Sequence, residues 1–168
     1  MRGPQGRMAY SVEHGGDMSE HHATIVWKRT SAEHTYDTYN RAHEIRFKHG
    51  DIVLAASSAP AFKGDADRVD PEEAYVASLS SCHMLTFLAI CARMRLSIDA
   101  YEDDAVGFLE KGPKGKMWIA RVALSPRVTF SPGTNVNAAT LDQLHHLSHE
   151  ECFIANSVNS EITVKARD

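Results

Sequence analysis

The chain of 168 residues is long enough for one domain with a hydrophobic core. Its 43% hydrophobic and 24% charged content is ordinary for a globular protein, and a net charge of -4 with interspersed signs does not indicate nucleic acid or an anionic membrane as a partner. No apolar run approaches the roughly 20 residues that span a bilayer. Three cysteines predict reduced thiols in the cytoplasm rather than a disulfide scaffold.

Residues 1–22 carry four glycines, and they have neither core-forming periodicity nor the apolar stretch of a secretory signal. We predict a tail here, followed by one domain over residues 23–168. Residues 23–29 alternate like a strand, residues 35–48 contain spaced apolar side chains, and residues 52–56 form an apolar run after a turn signal. The first third of the domain is therefore predicted to be an antiparallel β-meander.

The sequence of residues 70–73 is typical of a helix start. Asp70 can cap the helix, Pro71 suits the first helical position, and Glu73 completes a capping box. Residues 74–96 are apolar nearly all round, which is typical of a buried helix. We predict that this is the central helix of the fold.

The remaining elements are predicted from their periodicity. Residues 97–110 and 116–130 alternate on either side of the turn sequence KGPKG, which predicts a hairpin. Residues 137–151 carry leucines on one face and predict a second helix, and residues 157–166 predict a closing strand. This order indicates an α+β fold, with a strongly bent antiparallel sheet around a buried central helix.

Cys82 and Cys152 are the candidate reactive thiols. A buried core cysteine is the commoner role for a residue such as Cys82, but serines and a histidine make its surroundings unusually polar. Cys152 follows the second helix, where a loop can present it. Cys91 comes nine residues after Cys82, so it lies on the opposite face of the helix and about 13 Å further along, beyond disulfide reach.

A reactive thiol needs a nearby cation, because the thiolate is the nucleophile. The helix dipole acts only over the first turn and cannot serve Cys82. An arginine oriented by a carboxylate is one such device, and Glu72 and Glu73 are candidate carboxylates. A role at the start of the helix explains the presence of these two glutamates equally well.

A zinc site is a weaker alternative. His145 and His149 are four residues apart on one helical face and Cys152 follows three residues later, a spacing that could hold zinc. Exposed histidine-rich faces are commoner, and no fourth ligand is evident, so no metal is predicted. The sequence also lacks a glycine-rich phosphate loop, a GxSxG elbow and an HExxH pattern, and no cofactor is predicted.

Two segments resemble the OsmC/Ohr family of osmotically inducible and organic-hydroperoxide-resistance proteins: DPEEAYVASLSSCHMLTFLAICA at residues 70–92 and HEECFIANSV at residues 149–158. The family pattern is a Pro-Glu-Glu helix start, a cysteine ten residues after the first glutamate, and a distant cysteine near the C-terminus. The stretch SAPAFKGD at residues 58–65 fits the OsmC-like members. The resemblance covers about residues 23–165.

The resemblance implies an OsmC-like fold, an intertwined homodimer with active sites at the subunit interface, and a thiol-dependent peroxidase. Cys82 would react with an organic hydroperoxide to form a sulfenic acid, and Cys152 would condense with it to a disulfide. A dithiol partner, such as a lipoyl protein or thioredoxin, would then reduce the disulfide.

The resemblance also implies an arginine–glutamate pair that activates the thiol. Glu72 matches the family's glutamate, but Ala61 stands where founding members have their arginine, so we predict Arg41, with Arg29 and Arg68 as further candidates. A straight helix places Glu72 about 15 Å from Cys82 along its axis. The carboxylate is therefore expected to come from the partner subunit of a two-fold dimer.

Two other functions remain open. The first is a catalytically silent binding protein of the same fold, with a small-molecule or metal ligand at the dimer interface. The second is a hydrolase or transferase that uses Cys82 as a nucleophile and His83 as its base. Because His83 is the next residue, it points about 100° away from Cys82 around the helix.

Overall fold

The computed structural model describes residues 19–167, so residues 1–18 of the predicted tail lie outside the described residues. Residues 19–22 are exposed and have no regular structure. The described chain contains eight strands and two α-helices: β1 Thr24–Val26, β2 His43–Phe47, β3 Ile52–Ala56, α1 Pro71–Arg93, β4 Ile98–Asp103, β5 Val106–Lys111, β6 Met117–Leu124, β7 Pro126–Phe130, α2 Ala138–Glu150 and β8 Glu161–Val164.

The predicted N-terminal meander is present, with β2 paired antiparallel to both β1 and β3. The strand predicted over residues 35–48 is shorter, because residues 35–42 form turns and irregular backbone. The Asn40 side chain fixes this segment. Its Oδ1 accepts a hydrogen bond from the Thr30 N–H at 2.9 Å, and its Nδ2 donates to the Lys28 carbonyl at 2.9 Å.

The predicted hairpin of two long strands divides into four strands. β5 and β6 form an antiparallel hairpin, whereas β4 and β7 pair with each other in a separate two-stranded sheet. The first long strand is interrupted after Asp103 and the second at Ser125. The Asp103 carboxylate accepts hydrogen bonds from the Ser125 N–H at 2.6 Å and from the Ser80 hydroxyl at 2.5 Å. This side chain ties the strand break to α1.

The expectation of one strongly bent antiparallel sheet is wrong. The described residues form three small sheets, and β8 pairs in parallel with β6, with Ile162 opposite Val122. Parallel neighbours need a long crossover connection. The chain between β6 and β8, which contains β7 and α2, provides that crossover.

The start of α1 follows the predicted capping pattern. Asp70 Oδ1 accepts a hydrogen bond from the Glu73 N–H at 2.8 Å, and Glu73 Oε2 accepts one from the Asp70 N–H at 3.1 Å. The helix ends at Arg93, earlier than the predicted residue 96, because Arg95 takes a left-handed φ of 59°.

We expect Asp70→Ala to lower the free energy of unfolding by about 1 kcal/mol, because it leaves an N-terminal backbone N–H of α1 without its acceptor. Urea unfolding followed by circular dichroism measures the change. Asp67→Ala is the matched control, since Asp67 is an exposed aspartate in the preceding loop. An equal loss in both variants would contradict the capping role.

α1 is buried along one stripe rather than on every side. In the single chain the opposite face is exposed, and Leu85 retains 59% of its accessible surface. The buried stripe joins two cores, one shared with Leu144 of α2 and one shared with Val122 and Leu124 of β6. Its members are Leu79, His83, Phe87, Ile90 and Cys91.

The length of α1 corrects one expectation from the sequence. With 23 residues, it is long and apolar enough to cross a membrane by length and composition alone. One such helix is weak evidence for a membrane span, and the core helix of a soluble protein passes the same test. The packing of its buried stripe on α2 and β6 accounts for part of its apolar composition, since 28% of the apolar window is buried in the single chain.

Candidate active site

The structure brings Cys82 and Cys152 into contact. Cys82 lies in the middle of α1, and Cys152 follows the last residue of α2 by two positions. Neither forms a disulfide, and the two thiols are close enough for Cys82 to raise the pKa of Cys152. Cys91 is fully buried in the core with Phe87 and Leu144.

The two thiols differ in exposure. Cys152 is 1% exposed, and burial raises its pKa to about 11. The contact with Cys82 acts in the same direction, whereas the Ala155 N–H, 3.5 Å from the Cys152 sulfur, lowers the pKa. Cys152 is therefore a neutral thiol at pH 7. Cys82 is half-buried, so a molecule from solution can reach it.

Backbone hydrogen bonds fix the position of Cys152 after α2. Its N–H donates to the His149 carbonyl at 3.3 Å, and its carbonyl accepts from the Asn156 N–H at 3.0 Å. The Asn156 side-chain amide donates to the Glu150 carbonyl at 2.8 Å. These contacts close the loop against the end of the helix and hold the sulfur toward α1.

A groove of about 650 Å³ opens in front of Cys82. Arg93 is the one arginine among residues 19–167 that lines it, and the sequence reasoning did not single it out. The sequence spacing could have identified Arg93, because it follows Cys82 by about three helical turns and so lies on the same face of α1. The lining residues are His21, Ser78, Ser81, Cys82, Leu85, Thr86, Ala89, Ile90, Arg93, Glu151, Phe153, Ile154 and Ser157.

Glu72 does not line this groove in the single chain. It is half-buried at the start of α1 and lines a larger hollow of about 1190 Å³ between α1, β5 and the N-terminal sheet. Ser78 and Ser81 line both the hollow and the groove, so the two openings adjoin along α1.

Arg41 is held within the N-terminal region. Its Nη1 donates to the Tyr39 carbonyl at 2.6 Å and its Nη2 donates to the Tyr36 carbonyl at 2.5 Å. Its guanidinium lies 3.9 Å from the centroid of the Tyr39 ring, in a separate cavity of about 350 Å³. Arg41, Arg29 and Arg68 are all absent from the residues that line the Cys82 groove.

Two buried histidines join α1 to α2, and the sequence reasoning did not predict this pair. His83 Nε2 and His145 Nδ1 are 3.1 Å apart, and the residues are 1% and 4% exposed. Burial lowers the pKa of each to about 4. The burial of His83 could have been predicted from its four-residue spacing from Leu79 and Phe87, which lie on the buried stripe of α1.

This geometry bears on two alternatives. His145 Nδ1 contacts His83 Nε2, and within residues 19–167 no group of three or more His, Cys, Asp or Glu side chains is arranged to hold a metal ion. The His83 ring points into the helix interface, so in this structure it is not placed as a base for Cys82.

A family model described as OsmC-like protein matches residues 64–167. An OsmC-like protein of unknown function from Vibrio cholerae is 44% identical, with a TM-score of 0.84, over 89% of this chain and 100% of that chain. No match was found among curated proteins.

Two more distant structures share the fold. An organic hydroperoxide resistance protein from Elizabethkingia anophelis, with crystallant-derived thiocyanate bound, is 14% identical with a TM-score of 0.71, over 92% of this chain and 99% of that chain. The organic hydroperoxide resistance protein OhrB of Bacillus subtilis is 17% identical with a TM-score of 0.62, over 87% and 98% of the respective chains.

Proposed function

Since the chain belongs to the OsmC-like family, we propose that it is a thiol-dependent peroxidase that reduces organic hydroperoxides. The observation that carries the proposal is the contact between two reduced thiols of unequal exposure. Cys82 opens on a groove, and Cys152 is buried behind it. A sulfenic acid formed on the accessible sulfur would have a resolving thiol already beside it.

The cycle has two chemical steps in the protein. First, the Cys82 thiolate attacks one peroxide oxygen, the O–O bond breaks, and the sulfur becomes a sulfenic acid while the other oxygen leaves with a proton as an alcohol. Next, the Cys152 sulfur attacks the Cys82 sulfur, and the hydroxyl leaves as water with the Cys152 proton. Two thiols and one hydroperoxide become one disulfide, one alcohol and one water.

The groove favours an organic hydroperoxide over hydrogen peroxide as the substrate. Leu85, Phe153 and Ile154 line it and retain 59%, 59% and 36% of their accessible surface. Burial of an alkyl chain against such side chains contributes about 25 cal/mol for each Å² of apolar surface removed from water. Hydrogen peroxide has no apolar surface to bury.

An external dithiol, such as a lipoyl protein or thioredoxin, would return the disulfide to two thiols by exchange. Because Cys152 is buried, the incoming thiolate would attack the Cys82 sulfur through the open groove. A reductant of this kind and the low number of cysteines fit a cytoplasmic protein.

The proposal includes a two-fold homodimer that completes the site. In the single chain, Glu72 and Arg41 line cavities other than the Cys82 groove. The hollow that contains Glu72 is bordered by apolar side chains that are exposed in the single chain, including Val106 at 50%. A partner that covers this face would bring its own Glu72 and Arg41 toward Cys82.

We expect the protein to sediment as a dimer at micromolar concentration and Val106→Asp to sediment as a monomer with little peroxidase activity. The Val106 side chain is half-exposed, so the aspartate leaves the fold of the single chain intact. In a dimer structure, the distance from Glu72 to Cys82 should be shorter between subunits than within one. A wild-type monomer would contradict the interface site.

The function itself is tested by stopped-flow mixing of the reduced protein with an alkyl hydroperoxide and with hydrogen peroxide. We expect faster consumption of the alkyl hydroperoxide and a Cys82–Cys152 disulfide in the mass spectrum of the product. A protein that consumes neither peroxide would overturn the proposal and leave the alternative of a catalytically silent binding protein.

A further inference from the structure

His83 and His145 form a buried pair in the interface between α1, which carries Cys82, and α2, which precedes Cys152. The ring planes are 13° apart and the rings meet edge to edge, with centroids 5.4 Å apart and the facing nitrogens 3.1 Å apart. The Phe87 ring stacks on His145, with centroids 4.4 Å apart. In residues 19–167 this pair provides the one side chain–side chain hydrogen bond between α1 and α2.

Each histidine of the pair lies on the same segment as one of the two thiols. His83 follows Cys82 in α1, and His145 precedes Cys152 by seven residues, which is two helical turns or about 10 Å. The distance between the two helices at the histidines therefore sets how closely the end of α2 approaches Cys82. The thiol contact depends on this approach, because no covalent bond joins the cysteines in the reduced protein.

We propose that His83 and His145 are positioning residues that hold Cys152 against Cys82, and that acid releases this hold. The hydrogen bond between the rings needs one nitrogen with its proton and one without, which two neutral histidines supply. If both rings are protonated, each nitrogen carries a hydrogen and the bond is lost.

The direction of the pH effect follows from the native and opened states. In an opened state each histidine has its ordinary pKa of 6.5, whereas burial lowers the pKa of each to about 4 in the closed pair. The opened state therefore binds more protons between pH 6.5 and pH 4. The closed arrangement has its full stability above that window and loses it as the pH falls.

The groups around the pair do not reverse this direction. Asp103 of β4 and Asp142 of α2 raise the pKa of His145, but burial has the larger effect. His149 lowers the pKa of His83 further. His146 of α2 lines the cavity beside His145 together with Asp142 and His149. The Tyr101 ring of β4 and the side chains of Ile162, Val164 and Ala166, in and after β8, are uncharged at neutral pH.

The chemical consequence rests on the proposed peroxidase cycle. While the helices are closed, Cys152 resolves the Cys82 sulfenic acid to a disulfide. When they open, the sulfenic acid persists, and a second hydroperoxide oxidises it to a sulfinic acid with release of a second alcohol. The histidine pair would thus set the ratio of disulfide to over-oxidised protein.

The positioning role is tested without peroxide, in Cys82→Ser protein, by labelling Cys152 with 4,4′-dithiodipyridine, which reacts with thiols in acid as well as at neutral pH. Mass spectrometry assigns the label to Cys152 rather than to Cys91. Relative to the same protein with His145→Gln, the labelling rate should rise about tenfold from pH 7 to pH 5, since a released histidine binds a proton in this range and glutamine does not.

Leu144→Ala is the matched control, because it loosens the same helix contact without removing a titratable group. It should raise the labelling rate by the same factor at both pH values. If His145→Gln fails to fold, as judged by circular dichroism, His83→Gln makes the same comparison. A ratio that stays constant between pH 7 and pH 5 overturns the proposal.

Wild-type protein treated with an alkyl hydroperoxide links the result to function. The ratio of Cys82 sulfinic acid to disulfide should be higher at pH 5 than at pH 7, and His145→Gln should remove most of this difference. If Cys82 is not oxidised at either pH, the proposed peroxidase function fails, while the labelling experiment still decides the positioning role.

Discussion

Cys82→Ser is expected to abolish consumption of alkyl hydroperoxide. A serine hydroxyl is not ionised at neutral pH and cannot take an oxygen atom from the peroxide, so the first step has no acceptor. The remaining thiols do not replace it, because Cys152 and Cys91 are 1% and 0% exposed and burial raises the pKa of each to about 11. The measurement is the rate of peroxide loss with a dithiol reductant present.

Cys91→Ser is the control for this experiment. It also removes one thiol, but from the core beside Phe87 and Leu144, away from the groove. We expect reduced stability, because a hydroxyl is buried in apolar surroundings, with the peroxidase activity of the folded protein retained. Sustained turnover by Cys82→Ser would rule out the proposed cycle.

Cys152→Ser is expected to allow one fast turnover and then inactivation. The first step needs only Cys82, so one equivalent of hydroperoxide is consumed in a burst. Without a resolving thiol, further hydroperoxide converts the sulfenic acid to sulfinic acid, which thiols do not reduce. In the mass spectrum, the variant should gain two oxygen atoms on Cys82 where the wild type forms a disulfide.

The resolving role of Cys152 can also be contradicted directly. If wild-type protein treated with one equivalent of hydroperoxide and no added reductant forms no Cys82–Cys152 disulfide, Cys152 has no resolving role. The contact between the two thiols would then serve packing alone.

Local rules predicted the parts of the fold that depend on neighbouring residues. The capping box of Asp70 and Glu73 predicted where α1 begins. The patterns of residues 23–29 and 52–56 predicted the N-terminal meander. Both patterns involve residues that are close together in the sequence, so each can be recognised within a single segment.

Contacts between distant residues explain the errors. The interruption of the two long strands depends on Asp103, which binds Ser80 and Ser125, more than 20 residues away on either side. The parallel position of β8 depends on the length and path of the crossover before it. Periodicity predicts that a strand exists, but it does not say which strand will be its neighbour.

Some residues of the candidate site were predicted from the sequence, and others were not. Cys82 and Cys152 were named from their sequence context and the family resemblance, and they lie together in the structure. The histidine pair was not predicted, because contact between the two rings depends on how α1 and α2 pack against each other. Arg41 was chosen by elimination, and its present hydrogen bonds to Tyr36 and Tyr39 give no support for a role within its own chain.

The parallel pairing of β8 with β6 has a consequence for synthesis of the chain. The segment from Leu124 to Glu161 must cross over before β8 can pair, and Cys152 lies near the end of that segment. Cys82 leaves the ribosome before Cys152, because it comes 70 residues earlier in the chain. In the proposed cycle, the nascent protein therefore passes through a period in which an oxidised Cys82 has no resolving thiol. Damage by peroxide should then be greatest in newly made chains, and pulse-labelled protein should carry more Cys82 sulfinic acid than the mature pool.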